Sequence, residues 1–490
     1  MKNLVLLSSI AVLARDVTAM YNGLAVTPQM GWDNWNSFGC DVSEDLLLNT
    51  ARKIVSYGLR DAGYTYVILD DCWSSGRSPG ANGSLIANST RFPNGMADVA
   101  DRIHDLGLRF GMYSSAGSMT CARYTGSLGY EEVDAQTFAD WGVDYLKYDN
   151  CYNEGQSGTP LITYNRYKKM QVALNNTGRP ILYSLCNWGE DYPWKWAQTI
   201  SNSWRTSGDI TDFFDRHDPR CPCPPSNGIN CALPGFHCSA MNILGKAAPY
   251  IDKGIPGSWN DLDMLEVGNG GMTDAEYVAH FTMWALVKSP LVMGNDFAKL
   301  GGRDLSILIN PAVIAVSQDP MGAGAFRRWI YDVEDRDGMA EAGTIQMWSG
   351  ALSGGDFVVA LLNAGTRPRM MNATLADIFV DSGAEHSELA QQSWDLYDLW
   401  GNRMPEEIAA GIIGGNVTLG AGAANVTDYY YNATAKSYAE GLASNDMLLM
   451  GTAAGSVQPM GVVEAMVEGH GVRVFRMRMR SRLLRRRDEL

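Results

Sequence analysis

Through the first 320 residues, short β-rich apolar runs alternate with amphipathic stretches. The runs are Thr27–Trp32, Tyr64–Asp71, Leu108–Ser114, Val143–Asn150, Pro180–Cys186, Ile200–Arg205, Ser258–Met264 and Pro290–Asn295. Between most of them the apolar positions recur at helical spacing. Ser43 offers an N-cap, Glu44 and Asp45 an acidic first turn, and Leu46, Ile54, Val55 and Leu59 an apolar stripe that stops near Gly58 to Gly63. Met96–Leu106, Glu131–Trp141, Leu161–Leu174, Ser239–Ile251 and Asp274–Val287 read as further helices. The middle units recur at about 36-residue spacing, the length of one βα unit. Eight strands alternating with helices predict an α/β fold, a (β/α)8 TIM barrel. A doubly wound open sheet is the competing topology, but no Gly-rich phosphate loop follows the first run. Tyr66-Val-Ile-Leu-Asp-Asp-Cys-Trp73 echoes Tyr145-Leu-Lys-Tyr-Asp-Asn-Cys-Tyr152 two units on, as quasi-repeated barrel strands would.

After Asp319-Pro320 the texture changes. Thr344–Trp348, Phe357–Leu362, Ser393–Leu396 and Val472–Phe475 alternate apolar and polar positions, with Gly, Asn and Pro between them. This pattern predicts an antiparallel β-sandwich, an accessory domain with few clustered polar residues. The chain divides into a signal peptide (1–19), a catalytic barrel (20–320), a β-sandwich (321–480) and a basic tail (481–490).

Composition narrows the class. Hydrophobic residues make up 46% of the 490 and charged residues 19%, which excludes disorder over most of the length. Lys and Arg number 39 against 54 Asp and Glu, and the net charge of −15 argues against nucleic acid as a partner. The exception is local: eight Arg fall between Arg473 and Arg487. At the N-terminus, Lys2, the apolar stretch Leu4–Leu13 and the small residues Val17-Thr18-Ala19 read as a secretory signal. No later stretch is long and apolar enough to span a bilayer, so the mature protein is expected to be secreted and free of the membrane. Nine Cys and seven sequons, at Asn82, Asn88, Asn175, Asn372, Asn416, Asn425 and Asn432, fit an oxidising compartment and glycosylation. The terminal Arg487-Asp-Glu-Leu490 is a poor match to an ER-retrieval signal.

The barrel reading also says where chemistry should lie, at the C-terminal ends of the strands. Asp33-Asn-Trp35 follows the first, Asp70-Asp71-Cys72-Trp73 the second, and Tyr113 the third. Lys147 and Asp149 end the fourth, and Cys186-Asn187-Trp188 the fifth. Arg205 and Asp209 follow the sixth, and Asp261 and Asp263 the seventh. Almost no His is among them, which disfavours a metal hydrolase and a Ser-His-Asp triad. Carboxylates with aromatic walls suit glycoside hydrolysis, in which one carboxylate attacks or stabilises the anomeric carbon and another protonates the leaving oxygen.

Each feature has a plainer reading. A lone Asp70-Asp71 is more often a helix cap, Lys147 with Asp149 can be a structural ion pair, and Arg205 with Asp209 a local salt bridge. Asp261 reads as an N-cap or supporting partner, and Trp73 stays open between core and site. Cys40 with Cys72, and Cys121 with Cys151, follow adjacent strands, and each pair can close above the barrel mouth. Cys221, Cys223, Cys231 and Cys238 cluster after the sixth strand, where two more bridges or a zinc site are the alternatives and the compartment favours bridges. Cys186 is left over.

Taken together, five motifs in order settle between these readings. Met30-Gly-Trp-Asp-Asn-Trp-Asn36, Leu69-Asp-Asp-Cys-Trp73, Leu146-Lys-Tyr-Asp-Asn-Cys151, Ser203-Trp-Arg-Thr-Ser-Gly-Asp209 and Trp259-Asn-Asp-Leu-Asp263 resemble those of family 27 glycoside hydrolases, closest to the secreted fungal α-galactosidases (melibiases). The resemblance implies a retaining exo-α-galactosidase acting on galactose-containing oligosaccharides or polysaccharide side chains, with no cofactor and no metal. It implies Asp149 as nucleophile and Asp209 as acid/base, with their carboxyl groups about 5–5.5 Å apart. Asp209 must then start protonated while Asp149 is ionised, an anion that neighbouring Lys147 favours. Asp70 and Asp71 match residues that bind the 4-OH and 6-OH. Lys147, Arg205 and Asp263 match those that hold the 2-OH and 3-OH, and Trp35 and Tyr113 match pocket walls. Cys186 and Trp188 are bulky where N-acetylgalactosaminidase relatives are small, which favours plain galactose. Asn187 stands where animal relatives carry Glu, and altered hydrogen bonding near the 2-OH is expected. A β-L-arabinopyranosidase or α-N-acetylgalactosaminidase on the same scaffold, or a non-catalytic galactose-binding protein, are the other functions to weigh. A homo-oligomer stays open.

Overall fold

The computed structural model describes residues 22–80, 82–216, 237–334, 343–380, 388–419 and 426–480. Residues 1–19, Cys221, Cys223, Cys231, the Asn425 sequon and the tail from 481 lie outside the described residues.

Eight parallel strands run in chain order around a barrel: β1 (Met30–Asp33), β2 (Tyr66–Leu69), β3 (Arg109–Ser115), β4 (Tyr145–Asp149), β5 (Leu182–Cys186), β6 (Ser203–Arg205), β7 (Trp259–Asp261) and β8 (Leu291–Met293). Neighbours in sequence are neighbours in the sheet, and β8 returns beside β1. The remaining gap is bridged by one parallel pair, Leu265 just past β7 with Met293 of β8. Helices α1 (Glu44–Ser56), α2 (Gly95–His104), α3 (Glu131–Asp140), α4 (Pro160–Asn176), α5 (Ala240–Ala247) and α6 (Asp274–Leu286) lie between strands, and α7 (Gly302–Leu308) and α8 (Pro311–Ser317) follow β8. Ser43 caps α1 by accepting the Leu46 N–H at 3.2 Å. Its buried face is Leu47, Leu48, Ala51 and Ile54, one position round from the stripe read in the sequence. The sixth strand is shorter than read, because residues Ala197–Thr199 form a 3-10 turn just before it.

The two-residue period of a strand then sorts side chains. Trp32, Val67, Leu69, Phe110, Met112, Leu146, Tyr148, Tyr183, Leu185 and Trp204 are buried in the core formed with the helices. Tyr66, Ile68, Tyr145, Leu182, Met264 and Val292 form a separate apolar cluster inside the barrel. The rings of Tyr66 and Tyr145 pack 5.5 Å apart, in the space left by glycines on the alternate strands. A Cβ on Gly31 would fall 2.7 Å from Tyr66 Cβ, and one on Gly111 would fall 2.8 Å from Ile68 Cγ1. One register step towards the strand ends, the same inward rows carry Asp33, Asp70, Tyr113, Lys147, Asp149, Cys186 and Arg205.

Beyond residue 320 a six-stranded antiparallel sheet forms from β9 (Phe326–Val333), β10 (Gly343–Ala351), β11 (Phe357–Asn363), β13 (Trp394–Asp398), β14 (Thr452–Val457) and β16 (Gly471–Met479), in the order β9-β10-β11-β16-β13-β14. A two-stranded sheet of β12 (Arg369–Thr374) and β15 (Val462–Val467) packs on it. The central strand β11 is apolar on both faces: Val359 and Leu361 point into the sandwich, and Val358, Ala360 and Leu362 into the core shared with the barrel. Across that junction Arg403 forks onto the Asp274 carboxylate at 2.6 and 2.7 Å, and Trp400 donates to Thr282 Oγ1 at 2.9 Å. The Arg-rich run that starts at Arg473 begins inside this fold. Arg476 and Arg478 both pair with Asp356, Arg473 pairs with Asp398, and Arg480 with Asp395. Among the described residues, no helix is long and apolar enough to cross a membrane.

Candidate active site

One cavity opens at the C-terminal ends of the barrel strands. Trp35, Asp70, Asp71, Tyr113, Lys147, Asp149, Cys186, Trp188, Arg205, Asp209 and Asp263 all line it, so the structure brings every proposed sugar-binding and catalytic residue to one place. Asn36, Cys121 and Met264 complete the wall. A larger groove, lined by Tyr130, Glu131, Lys168, Lys169 and Val172, lies on the barrel flank at α3 and α4, away from the strand ends.

Asp149 closes β4 and is 6% exposed. Its Oδ1 accepts the Asn150 N–H at 2.8 Å and its Oδ2 the Tyr113 hydroxyl at 2.9 Å. Burial pushes its pKa up to about 7; Lys147 opposes that rise, Asp209 adds to it, and the two hydrogen bonds oppose it. The expectation that Lys147 keeps this carboxyl ionised therefore holds in direction only, since burial outweighs it. Lys147 is engaged elsewhere, donating to Asp70 Oδ2 at 2.6 Å. Burial works against the ammonium, but the negative charges of Asp70 and Asp33 hold its pKa above the ordinary value. Asp33 is the further acid beneath this pair, its own pKa raised by burial and then by Asp70.

Asp209 has a different setting. Its side chain is 41% exposed and accepts from Arg205 Nη2 at 2.9 Å. The same Nη2 lies 2.8 Å from Asp263 Oδ2, and Nη1 lies 3.6 Å from Cys186 Sγ. Arg205 thus ties the ends of β5, β6 and β7 into one wall. Asp263 Oδ2 also accepts the Ile210 N–H at 2.8 Å, which fixes the residue after Asp209. The Cys186 thiol is held protonated by burial and by the Asp149 charge, which makes it packing rather than a nucleophile.

The loops are tied down. Asp71 accepts the N–H of Cys72 at 2.6 Å and that of Ala122 at 2.8 Å, joining the loops after β2 and β3. Burial raises its pKa to about 6 against those two bonds. Disulfides join Cys40 to Cys72 and Cys121 to Cys151, and Cys238 is also disulfide-bonded. Cys121, Cys151 and Asp149 place ligand-type atoms within 4.8 Å of one another, and among the described residues this is the one such group. Both sulfurs are spent in the bridge, so no thiolate is left for a metal. Trp188 and Asp263 sit at φ of +55° and +77°, a left-handed backbone that costs a non-glycine residue on the order of 1 kcal/mol.

Some residues fall outside the cavity. Trp73 donates its indole N–H to Tyr113 O at 2.9 Å and packs on Phe138 and Trp141, so it is core. Asp261 supports the Asp263 N–H at 2.8 Å from behind. Asn187 is not among the residues lining the cavity: it is fully buried, and its amide donates to the Glu190 carbonyl at 2.6 Å. The side chain that enters the cavity is that of Trp188. Asn36 and Met264 were not singled out in the sequence, although each is adjacent to a residue that was. Asn36 is held from behind by a hydrogen bond to Glu266.

A buried carboxylate and a solvent-reached one facing one small cavity can supply a nucleophile and a proton donor. Comparison with known proteins agrees with that chemistry. The family model described as alpha galactosidase A matches residues 27–218 and 241–319, and the model described as alpha galactosidase C-terminal beta sandwich domain matches residues 342–427. An α-galactosidase of Lachancea cidri is 57% identical over 471 residues, covering 96% of this chain and 97% of the relative. The solved α-galactosidase of Saccharomyces cerevisiae with raffinose is 53% identical, with a TM-score of 0.88 over 94% of this chain and 100% of that one. The solved α-galactosidase I of Mortierella vinacea is 44% identical, with a TM-score of 0.76 over 93% of this chain and 98% of that one.

Proposed function

The chain belongs to the melibiase family of glycoside hydrolases, which includes α-galactosidase A, and from that premise we propose that it is a secreted, retaining exo-α-galactosidase. Its substrates are terminal α-D-galactosyl residues of oligosaccharides such as melibiose and raffinose, or of polysaccharide side chains.

The observation that carries the mechanism is the contrast between the two acids. In the first step Asp149 attacks the anomeric carbon as Asp209 gives its proton to the glycosidic oxygen. The C–O bond to the leaving group breaks, and a galactosyl ester forms on Asp149. In the second step Asp209, now a carboxylate, takes a proton from water as that water attacks the anomeric carbon and the ester bond breaks. Two inversions give net retention. Burial suits Asp149 to attack, because a desolvated carboxylate recovers stability as its charge passes into the ester bond. The half-exposed Asp209 can exchange its proton with solvent between turnovers. Asp70 and Asp71 hold the 4-OH and 6-OH, and Lys147, Arg205 and Asp263 the 2-OH and 3-OH. Cys186 and Trp188 fill the space beside C2.

Disulfides, the sequons and the N-terminal signal pattern support secretion. The test of the mechanism is trapping. An activated fluorogalactoside should leave a galactosyl adduct on the peptide containing Asp149, seen by mass spectrometry and absent from Asp149→Asn. An adduct on another residue would contradict the assignment.

A further inference from the structure

Besides backbone bonds between Thr211, Phe213 and Phe214 and residues 238–241, three contacts made through side chains anchor the loop leaving Asp209. Ile210 donates its N–H to Asp263. Asp212 accepts from the Tyr277 hydroxyl, 2.9 Å from Oδ2, and from the Gly271 N–H. Phe214, 3% exposed, stacks on the imidazole of His470 with ring centroids 5.0 Å apart and planes inclined by 29°. The first two anchors belong to the barrel. The third comes from the other domain, since His470 stands in the turn between β15 and β16 of the sandwich.

His470 is itself fixed from two sides. Its Nδ1 donates to Glu276 Oε1 at 2.7 Å, and its backbone N–H donates to Gly365 O at 2.9 Å. Glu276 lies in the first turn of α6, and its other oxygen accepts the Thr273 N–H at 2.7 Å, so one carboxylate closes the helix cap and grips the imidazole. Burial would raise the pKa of Glu276, but the hydrogen bonds from His470 and Thr273 outweigh it and hold it below the ordinary value. Tyr277, which holds Asp212, is the next residue of the same helix. One helix turn therefore braces the Asp209 loop twice, directly through Tyr277 and indirectly through the sandwich ring. The turn is also in an unusual state. His470 has φ of +54°, where glycine or asparagine is the easier choice.

We infer that His470 is a positioning residue for the acid/base loop, so that the sandwich domain helps set where Asp209 meets the leaving oxygen. The inference rests on the assignment of Asp209 as acid/base. Proton transfer in the transition state tolerates little displacement, and misplacement by about 1 Å from a distant change can cost on the order of 100-fold.

The test measures kcat/KM, which ends with formation of the galactosyl-enzyme, for melibiose and for 2,4-dinitrophenyl α-galactoside. A dinitrophenolate departs without a proton, so only melibiose senses a displaced acid. His470→Ala and Phe214→Leu should each lower the melibiose value about tenfold and the dinitrophenyl value less than about twofold, and the double variant should be no worse than the worse single. Equal changes on both substrates, or none, in variants that melt like the wild type would overturn the inference. If His470→Ala does not fold, Phe214→Leu decides it alone. Asp209→Asn is assayed alongside. Should it lose both substrates equally, the acid/base assignment fails; should it split them while the His470 and Phe214 variants do not, only the present inference fails.

Discussion

Lys147 Nζ donates to Asp70 Oδ2 at 2.6 Å, reaching from β4 past β3 to the end of β2. The ammonium is thereby committed to the floor of the cavity. Asp149, on the same strand as Lys147, relies for its nearest support on Tyr113 and the Asn150 N–H.

This arrangement sets the acid side of the pH profile. Attack needs the Asp149 anion, and burial raises its pKa to about 7. The acid limb of kcat/KM should therefore lie well above the ordinary Asp range. Tyr113→Phe removes a hydrogen bond that favours the anion, so the limb should move to higher pH by about one pH unit. A limb near pH 4 in the wild type, or one unmoved by the substitution, would contradict this.

The same burial costs stability. The folded-state pKa of Asp149 is raised above its unfolded value, so the folded state holds the proton more tightly. The associated stability is fully present below about pH 4 and is lost as pH rises through about 7. Asp149→Asn removes the charge. Calorimetry should show the variant melting several degrees above the wild type at pH 7.5, with the gap closing towards pH 4. A constant gap would mean that something other than ionisation is responsible.

The proposed placement of Cys186 and Trp188 beside C2 makes a prediction about discrimination. Cys186 is 2% exposed and Trp188 7%, and both line the cavity. An aryl α-N-acetylgalactosaminide should be cleaved at least about 100-fold less efficiently than the matching galactoside. Cys186→Ala with Trp188→Ala should narrow that ratio, chiefly by slowing the galactoside less than it admits the acetamide.

The Cys121–Cys151 bridge spans 30 residues and ties two loops of the cavity wall. Replacing both cysteines with Ser should cost about 3–4 kcal/mol of stability. It should also raise KM more than it lowers kcat, because Asp71 holds the Ala122 N–H of the same loop. Unchanged KM would show that the loop keeps its shape without the bridge.

The barrel strands were legible because they are buried on both faces and read as continuous apolar runs between polar ends. Four sandwich strands were not. β14 is Thr452-Ala-Ala-Gly-Ser-Val457, an exposed edge of small residues, and β9 carries Arg327, Arg328 and Asp332 on another edge. β12 and β15 form a two-stranded sheet with one wet face, where Met370 and Met466 stand exposed and blur the alternation. In the site, the two-residue period already put Lys147 with Asp149 and placed Asp70 and Arg205 at strand ends. What it could not give was partner choice. Lys147 selects Asp70 two strands away, Asn187 turns away from the cavity while Trp188 enters it, and Phe214 meets a histidine from the far end of the chain. Each of these is decided by tertiary packing and has no local sequence signature.

The central claim is double displacement at Asp149 and Asp209, and the stereochemistry of the first product tests it most directly. Proton NMR of an aryl α-galactoside during the first turnovers should show α-galactose appearing first, with the β anomer growing later by mutarotation. β-Galactose as the first product, or no galactose released at all, would contradict the account.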